Sequence, residues 1–225
     1  MVREEPLFME DRLKLPLGEV LPIIQNGIMN RTSYFGVKTF KCPTDAWVYQ
    51  EIIFETRPEV IIEIGNKNGG STLMLAHLCD LVGKGRVIGL DLSHETVPAI
   101  VRDHPRITLI EGDACAMVGK VEKLVDGAVS VLVIEDSSHT YENTLNVLRT
   151  YEKFVKEGGY FIVEDSICHH GLDEGPAPGP YEAIDSFLQS NPDFISERQH
   201  EHFLITWNPK GYLRRRAAAS TKCSR

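Results

Sequence analysis

Five short apolar runs in this chain each run out into acidic residues. They are Val60–Ile64 with Glu63 and Gly65, Val87–Leu90 with Asp91, Ile107–Ile110 with Glu111 and Asp113, Val129–Ile134 with Glu135 and Asp136, and Tyr160–Val163 with Glu164 and Asp165. One acid after a strand is an ordinary solvated end. Five in register point to a site, because an open parallel sheet binds ligands in the crevice outside the carboxyl ends of its strands. A row of carboxylates there suits hydroxyls, a cation or a metal.

The last two runs carry the densest chemistry. The fourth ends Ile134-Glu135-Asp136-Ser137-Ser138-His139, and the fifth ends Val163-Glu164-Asp165-Ser166. On adjacent strand ends, Asp136, Glu164 and Asp165 would converge. Three close carboxylates repel and resist ionisation unless a cation sits among them. Oxygen donors alone select Mg²⁺ or Ca²⁺ over zinc. Such an ion could acidify a substrate hydroxyl, and His139, three residues past Asp136, could take the proton. Asp136 and His139 are therefore the catalytic candidates, and Asp136, Glu164 and Asp165 the metal candidates. His169 and His170, in a polar loop, could also meet a substrate.

These residues need a scaffold, and the spacing supplies one. Helical patterns over Asp45–Thr56, Ser71–Val82, about His94–Asp103, about Ala114–Leu124, Thr140–Lys156 and Tyr181–Gln189 separate the runs. Repeated β-α-β units force parallel strands with right-handed crossovers. The expected class is α/β, a mostly parallel sheet closed by an antiparallel last strand at Phe203–Trp207. Residues 1–45, punctuated by Pro16, Pro22, Gly27 and Pro43, are expected to form short helices and a lid or oligomerisation arm, with the first ten residues structured or disordered. Residues 46–212 would be the catalytic domain. Residues 213–225, rich in Arg and Ala, read as a frayed basic tail. The loop 166–180 would hang over the site, and acceptor specificity would reside there and in 1–45.

With 225 residues, 42% hydrophobic and 25% charged, the chain suits one large soluble domain. Its net charge of −8 argues against a nucleic-acid binder. No apolar stretch approaches a membrane span, and no signal-peptide core is evident. Cys42, Cys79, Cys115, Cys168 and Cys223 lack paired or metal-finger spacing and read as reduced thiols of a cytoplasmic protein. Only Cys168 lies near the proposed site, as a bystander.

The segment Glu63-Ile64-Gly65-Asn66-Lys67-Asn68-Gly69-Gly70-Ser71 links the first run to its helix. It lacks the dinucleotide Gly-x-Gly-x-x-Gly spacing and any Walker ending. Its acid, glycine and Gly-Gly-Ser resemble the first motif of S-adenosylmethionine-dependent methyltransferases. In that reading Glu63, Gly65, Asn68, Gly69 and Ser71 hold the methionine end. Asp91 accepts the ribose hydroxyls, and Asp113 with Ala114 reads the adenine.

More of the chain joins the resemblance: Asp45-Ala-Trp47-Val-Tyr-Gln50-Glu-Ile, the block 136–141, Gly158–Asp165 and Gly179–Ile184. Over roughly residues 40–210 the chain resembles the cephalosporin hydroxylase/rhamnosyl O-methyltransferase family. That resemblance implies a Rossmann-like methyltransferase fold, S-adenosylmethionine, and Mg²⁺ on Asp136, Glu164 and Asp165. It also implies an acceptor hydroxyl on a sugar, oligosaccharide or glycosylated natural product, as in mycobacterial and actinomycete sugar methyltransferases. Asn66-Lys67-Asn68 departs from the family's glycine loop. Two rival classes stand beside it: an iron oxygenase using His169, His170 and Asp173 or Glu174, and a non-catalytic cofactor-binding protein. A homo-oligomer is expected.

Overall fold

The computed structural model describes Met9 and residues 14–217. Most of the first ten residues, the chain beyond Ala217 and Cys223 therefore lie outside the described residues. The chain opens with α1 (Leu17–Arg31) and a hairpin of β1 (Ser33–Tyr34) and β2 (Val37–Lys38). Helix α2 (Pro43–Thr56) starts with Pro at its first position and closes on Arg57 in the left-handed region.

Five parallel strands follow with their helices: β3 (Val60–Ile64), α3 (Gly70–Val82), β4 (Arg86–Asp91), α4 (Ala99–Arg102), β5 (Ile107–Glu111), α5 (Ala114–Val125), β6 (Val131–Glu135), α6 (Tyr141–Tyr151) and β7 (Tyr160–Val163). After α7 (Pro180–Ser190) come β8 (Phe194–Ser196) and β9 (Tyr212–Arg215). The seven-stranded sheet runs β5-β4-β3-β6-β7-β9-β8, and β9 alone is antiparallel to the rest. The chain order reverses direction across β3 and β6, which makes the gap beyond their carboxyl ends the place for a ligand.

Both faces of the sheet are covered, so the central strands read as continuous apolar runs. Along β3, Val60, Ile62 and Ile64 join the core under α5, α6 and α7. Ile61 faces the other way, with Val48, Tyr49, Ile52 and Ile53 of α2 and Leu75 and Cys79 of α3. A third cluster ties the N-terminal arm to the site: Leu21 and Ile28 of α1 pack with Cys42, Ile167, Leu172 and Trp207.

Several sequence expectations change. The antiparallel last strand exists but is not Phe203–Trp207. There the chain is pinned by the buried Asp45 carboxylate, which accepts from Thr206 Oγ1 (2.5 Å), Trp207 N (2.7 Å) and Tyr212 Oη (2.8 Å). A backbone amide given to a side chain cannot serve a ladder. The strand falls instead at Tyr212–Arg215, so Arg214 and Arg215, read as tail, sit in the sheet. The helix expected over 94–103 shrinks to Ala99–Arg102, because Pro98 precedes it and the Arg102 guanidinium is spent on the carbonyls of Val97 and His94. The long helix from Thr140 stops at Tyr151 and tightens into a 3₁₀ turn. The fourth run begins its strand at Val131, leaving Val129 exposed.

Candidate active site

A cavity of 590 Å³ opens at the carboxyl ends of β3, β4, β6 and β7. Asp91, Asp113, Asp136 and Asp165 line it, with Gly65, Asn68, Ser71, Ala114 and His139. Glu63, Glu111, Glu135 and Glu164 do not. In the Glu135-Asp136 and Glu164-Asp165 pairs, the aspartate lines the cavity and the glutamate is buried behind it. Glu135 is fully buried, where Ser137, Asn143 and Thr144 donate to it, and burial pushes its carboxyl up. Glu111 is exposed and accepts from the His94 amide (3.1 Å).

The proposed nucleoside side has two different preparations. The Asp91 carboxylate accepts from the Lys67 amide (2.6 Å) and the Leu92 amide (2.7 Å), which fixes the glycine loop against β4. Asp113 caps α5, accepting from the Ala116 amide at 2.9 Å. Both remain on the cavity wall. Glu63 is fully buried and accepts from Thr72 Oγ1 (2.5 Å), while its Oε1 has no protein partner. A buried carboxylate oxygen left open asks for a donor.

The glycines of this loop face protein backbone and side chains. Gly65 has φ +88, and a Cβ there would lie 2.5 Å from the carbonyl carbon of Asp136. At Gly70 a Cβ would lie 2.5 Å from the Lys38 carbonyl oxygen, and at Gly69 2.9 Å from Val101 Cγ1. Their smallness lets strand ends, hairpin and loop close on one another.

Asp136, His139 and Asp165 come together. One donor atom from each lies within 4.8 Å of the others, the one such grouping of His, Cys, Asp and Glu among the described residues. His139 Nε2 is 3.3 Å from Asp165 Oδ2 and 4.0 Å from Asp136 Oδ1, and its Nδ1 is buried without a partner. His139 and Asp165 both hold left-handed backbones, at φ 57 and 53. Such conformations cost about 1–3 kcal/mol each and persist where the surroundings impose them.

The sequence reading missed Lys41. This buried lysine donates from Nζ to Asp136 Oδ2 (2.6 Å) and to Glu164 Oε1. Burial alone would depress its ammonium, but Asp136, Glu164 and Glu63 outweigh it and hold the group above the ordinary lysine range. Burial raises Asp136 to about 6, with Lys41 opposing and Asp165 adding to the rise. Glu164 is raised well above the carboxylate range by burial and by Asp136, against the pull of Lys41. The only sequence cue to Lys41 was one lysine between Phe40 and Cys42.

The arm and loop supply the roof. Gln25, Met29 and the stretch Lys38–Lys41 line the cavity from one side, and Ile167, Cys168, Leu172 and Glu174–Pro176 from the other. His169 and His170 are turned away. His169 Nε2 meets the Gly175 carbonyl (3.1 Å), and His170 stacks on Tyr181 and bonds Glu182 (2.7 Å). With Asp173 bound loosely to His169 alone, the imagined iron triad is not assembled. Cys168 has its thiol pushed up to about 11 by burial, which keeps it protonated at neutral pH.

The family model described as rhamnosyl O-methyltransferase/CmcI matches residues 26–216. The chain belongs to that family. Rhamnosyl O-methyltransferases of Mycobacterium leprae and Mycobacterium tuberculosis are 31% and 30% identical to it. The first match covers 85% of this chain and 86% of the relative, the second 84% and 80%. The solved structure of CmcI with Mg and S-adenosylmethionine superposes with a TM-score of 0.66 at 23% identity, over 96% of this chain and 88% of that one. An apo CmcI structure gives 0.63 at 26%, over 97% and 87%. The sheet is thus the methyltransferase fold expected from the sequence, and membership of the rhamnosyl O-methyltransferase/CmcI family carries the enzyme class of S-adenosylmethionine-dependent O-methyltransferase. Among the described residues, no helix is long and apolar enough to cross a membrane.

Proposed function

We propose that this member of the rhamnosyl O-methyltransferase/CmcI family methylates a hydroxyl of a sugar, oligosaccharide or glycosylated natural product with the help of Mg²⁺. The observation that carries the reading is the convergence of Asp136, His139 and Asp165 on the wall of a cavity at the sheet's switch point. The carboxylate oxygens of Asp136 and Asp165 are hard donors that fit a divalent ion of the magnesium kind, and His139 stands beside them as a base rather than a ligand. The open Oε1 of buried Glu63 fits a cationic amine beside the Gly65–Ser71 turn. Its relatives' name, rhamnosyl O-methyltransferase, supports a deoxysugar acceptor.

When bound, S-adenosylmethionine brings a methyl carbon on a sulfonium leaving group, and Mg²⁺ brings positive charge that lowers the pKa of a nearby hydroxyl. The chain's residues do the rest. Asp91, Asp113 and Ala114 line the nucleoside end, and Gly65, Asn68 and Ser71 the methionine end, with Glu63 and Gly69 behind that wall. Asp136 and Asp165, with Glu164 behind them, would hold the ion. His139 presents Nε2 toward both aspartates, so Nε2 is the atom that would take the acceptor's proton. The roof from α1 and loop 166–180 excludes water and aligns the acceptor oxygen with the methyl carbon.

Calorimetric titration with S-adenosylhomocysteine, with and without Mg²⁺, tests the cofactor site. Labelled methyl transfer to rhamnosyl and other sugar acceptors tests the reaction. Absence of S-adenosylhomocysteine binding would reject the reading, and equal turnover in excess EDTA would reject the metal's part in it.

A further inference from the structure

Lys41 occupies an unusual position. It comes from the stretch that joins the N-terminal hairpin to α2, outside the β-α-β repeat, yet its ammonium sits between carboxylates from the ends of β6 and β7. Its side chain is 6% exposed, and that of Glu164 is 8% exposed. A cation this deep is bound to its anions rather than screened by water.

Both of its partners are residues that would hold Mg²⁺. Asp136 gives Oδ2 to Lys41 and turns Oδ1 toward His139, while Glu164 gives Oε1 to Lys41. Metal oxygens sit about 2.0–2.1 Å from Mg²⁺, closer than any ammonium hydrogen bond. An ion on Oδ2 of Asp136 or Oε1 of Glu164 takes that oxygen from the ammonium, and an ion on the free Oδ1 places a double positive charge beside it. We propose that Lys41 is a built-in counter-cation that competes with the divalent ion for Asp136 and Glu164, so that loading the ion drives the ammonium out from between them. The proposal rests on the Mg²⁺ reading above and deepens it. Lys41 keeps the carboxylates together when no ion is bound, at the expense of divalent affinity.

The test has two arms. In the first, Mn²⁺ affinity is measured by electron paramagnetic resonance for wild type, K41M and K41R, with melting curves in EDTA and in saturating Mg²⁺. K41M is expected to bind Mn²⁺ roughly tenfold or more tighter, since a positive charge is removed from the ion's vicinity. It should melt lower than wild type in EDTA and recover in Mg²⁺. K41R should keep the wild-type melting point in EDTA.

The second arm needs no variant. Brief acetic anhydride labelling read by mass spectrometry should modify Lys41 poorly in EDTA and several-fold faster in saturating Mg²⁺. A merely electrostatic lysine would tighten Mn²⁺ binding in K41M but leave the labelling unchanged. Unchanged labelling overturns the proposal, as does unchanged or weaker Mn²⁺ affinity in K41M, including no binding by either protein. S-adenosylhomocysteine titration of the same samples reports separately on methyl transfer, so either idea can fall alone.

Discussion

Gly65→Ala isolates how the site is assembled. Two terms act at this position. The first is backbone: φ is +88, a region where an L side chain costs roughly 1–2 kcal/mol. The second is contact. The new Cβ would lie 2.5 Å from the Asp136 carbonyl carbon and 2.7 Å from Ser137 Cα, where ordinary contact begins at 3.4 Å. The shortfall is 0.9 Å at that carbon and larger at the Asp136 carbonyl oxygen, which lies nearer still, and the obstacle is backbone that cannot rotate away. That backbone is held by Asp136 N donating to Ile64 O at 2.8 Å and Gly65 N to Leu90 O at 2.8 Å. Moving it by about an ångström breaks or stretches these bonds, each worth about 1 kcal/mol. The expected total is about 3–4 kcal/mol, or a melting point lower by roughly 6–16 °C for a chain of this size. Because Asp136 and His139 ride on the displaced segment, turnover should fall about a hundredfold or more. Circular dichroism melts and a methyl-transfer assay at low temperature, where the variant stays folded, separate the two losses. A variant that melts within a degree or two of wild type would refute the contact argument. One that is destabilised but fully active when folded would refute the link from Gly65 to the Asp136 carboxylate.

His139→Ala should lower the transfer rate by roughly a hundredfold to ten-thousandfold, the usual span for a general base. S-adenosylhomocysteine binding should be unaltered in calorimetry, and an unchanged single-turnover rate would remove His139 as base. Divalent binding should weaken as pH falls through about 6, because Asp136 must shed its proton to ligate. The chelated protein should show the opposite trend. A carboxyl raised in the fold binds protons more readily folded than unfolded, so melting points in EDTA should rise from pH 7 toward pH 5. Asp45→Ala strands three buried donors, Thr206 Oγ1, Trp207 N and Tyr212 Oη, and should cost about 3 kcal/mol or more. A melt matching wild type would show that the 203–207 segment finds other partners.

The sheet was legible because its order is written in local chemistry. Apolar runs such as Val131–Ile134, closed by acids and separated by amphipathic helices, permit few arrangements once crossovers must be right-handed. The acids at strand ends were legible for the same reason. What stayed hidden depends on contacts distant in sequence. Lys41 meets Asp136 and Glu164 across 95 and 123 positions, and no pattern near Lys41 announces it. The misplaced last strand has the same origin: Phe203–Trp207 has strand composition, but Asp45, 162 positions from Trp207, claims its amide. His169 and His170 had the right residue type for a site, yet the Gly175 carbonyl and Glu182 engage their rings and neither histidine lines the cavity.

The split between aspartate and glutamate gives the site its internal logic. At β6 and β7 the chain runs out in Glu-Asp, one residue out of step: Glu135 pairs with Val163, and Glu164 N donates to Glu135 O (2.9 Å). That offset brings Asp136 level with Glu164, and both carboxylates meet the Lys41 ammonium. Glu135 is satisfied by Ser137, Asn143 and Thr144, which leaves Glu164 as the inward acid that needs a cation. Lys41 supplies it from the same arm that lends Gln25 and Met29 to the cavity roof. Lys41 thus ties the roof to the carboxylates, beside the Leu21, Ile28 and Trp207 cluster and the Trp207 Nε1 bond to Gln25 that also hold the arm. Displacing the lysine removes that charged tie and leaves the apolar ones, so the acceptor's end of the cavity should keep its shape while the ion's end changes.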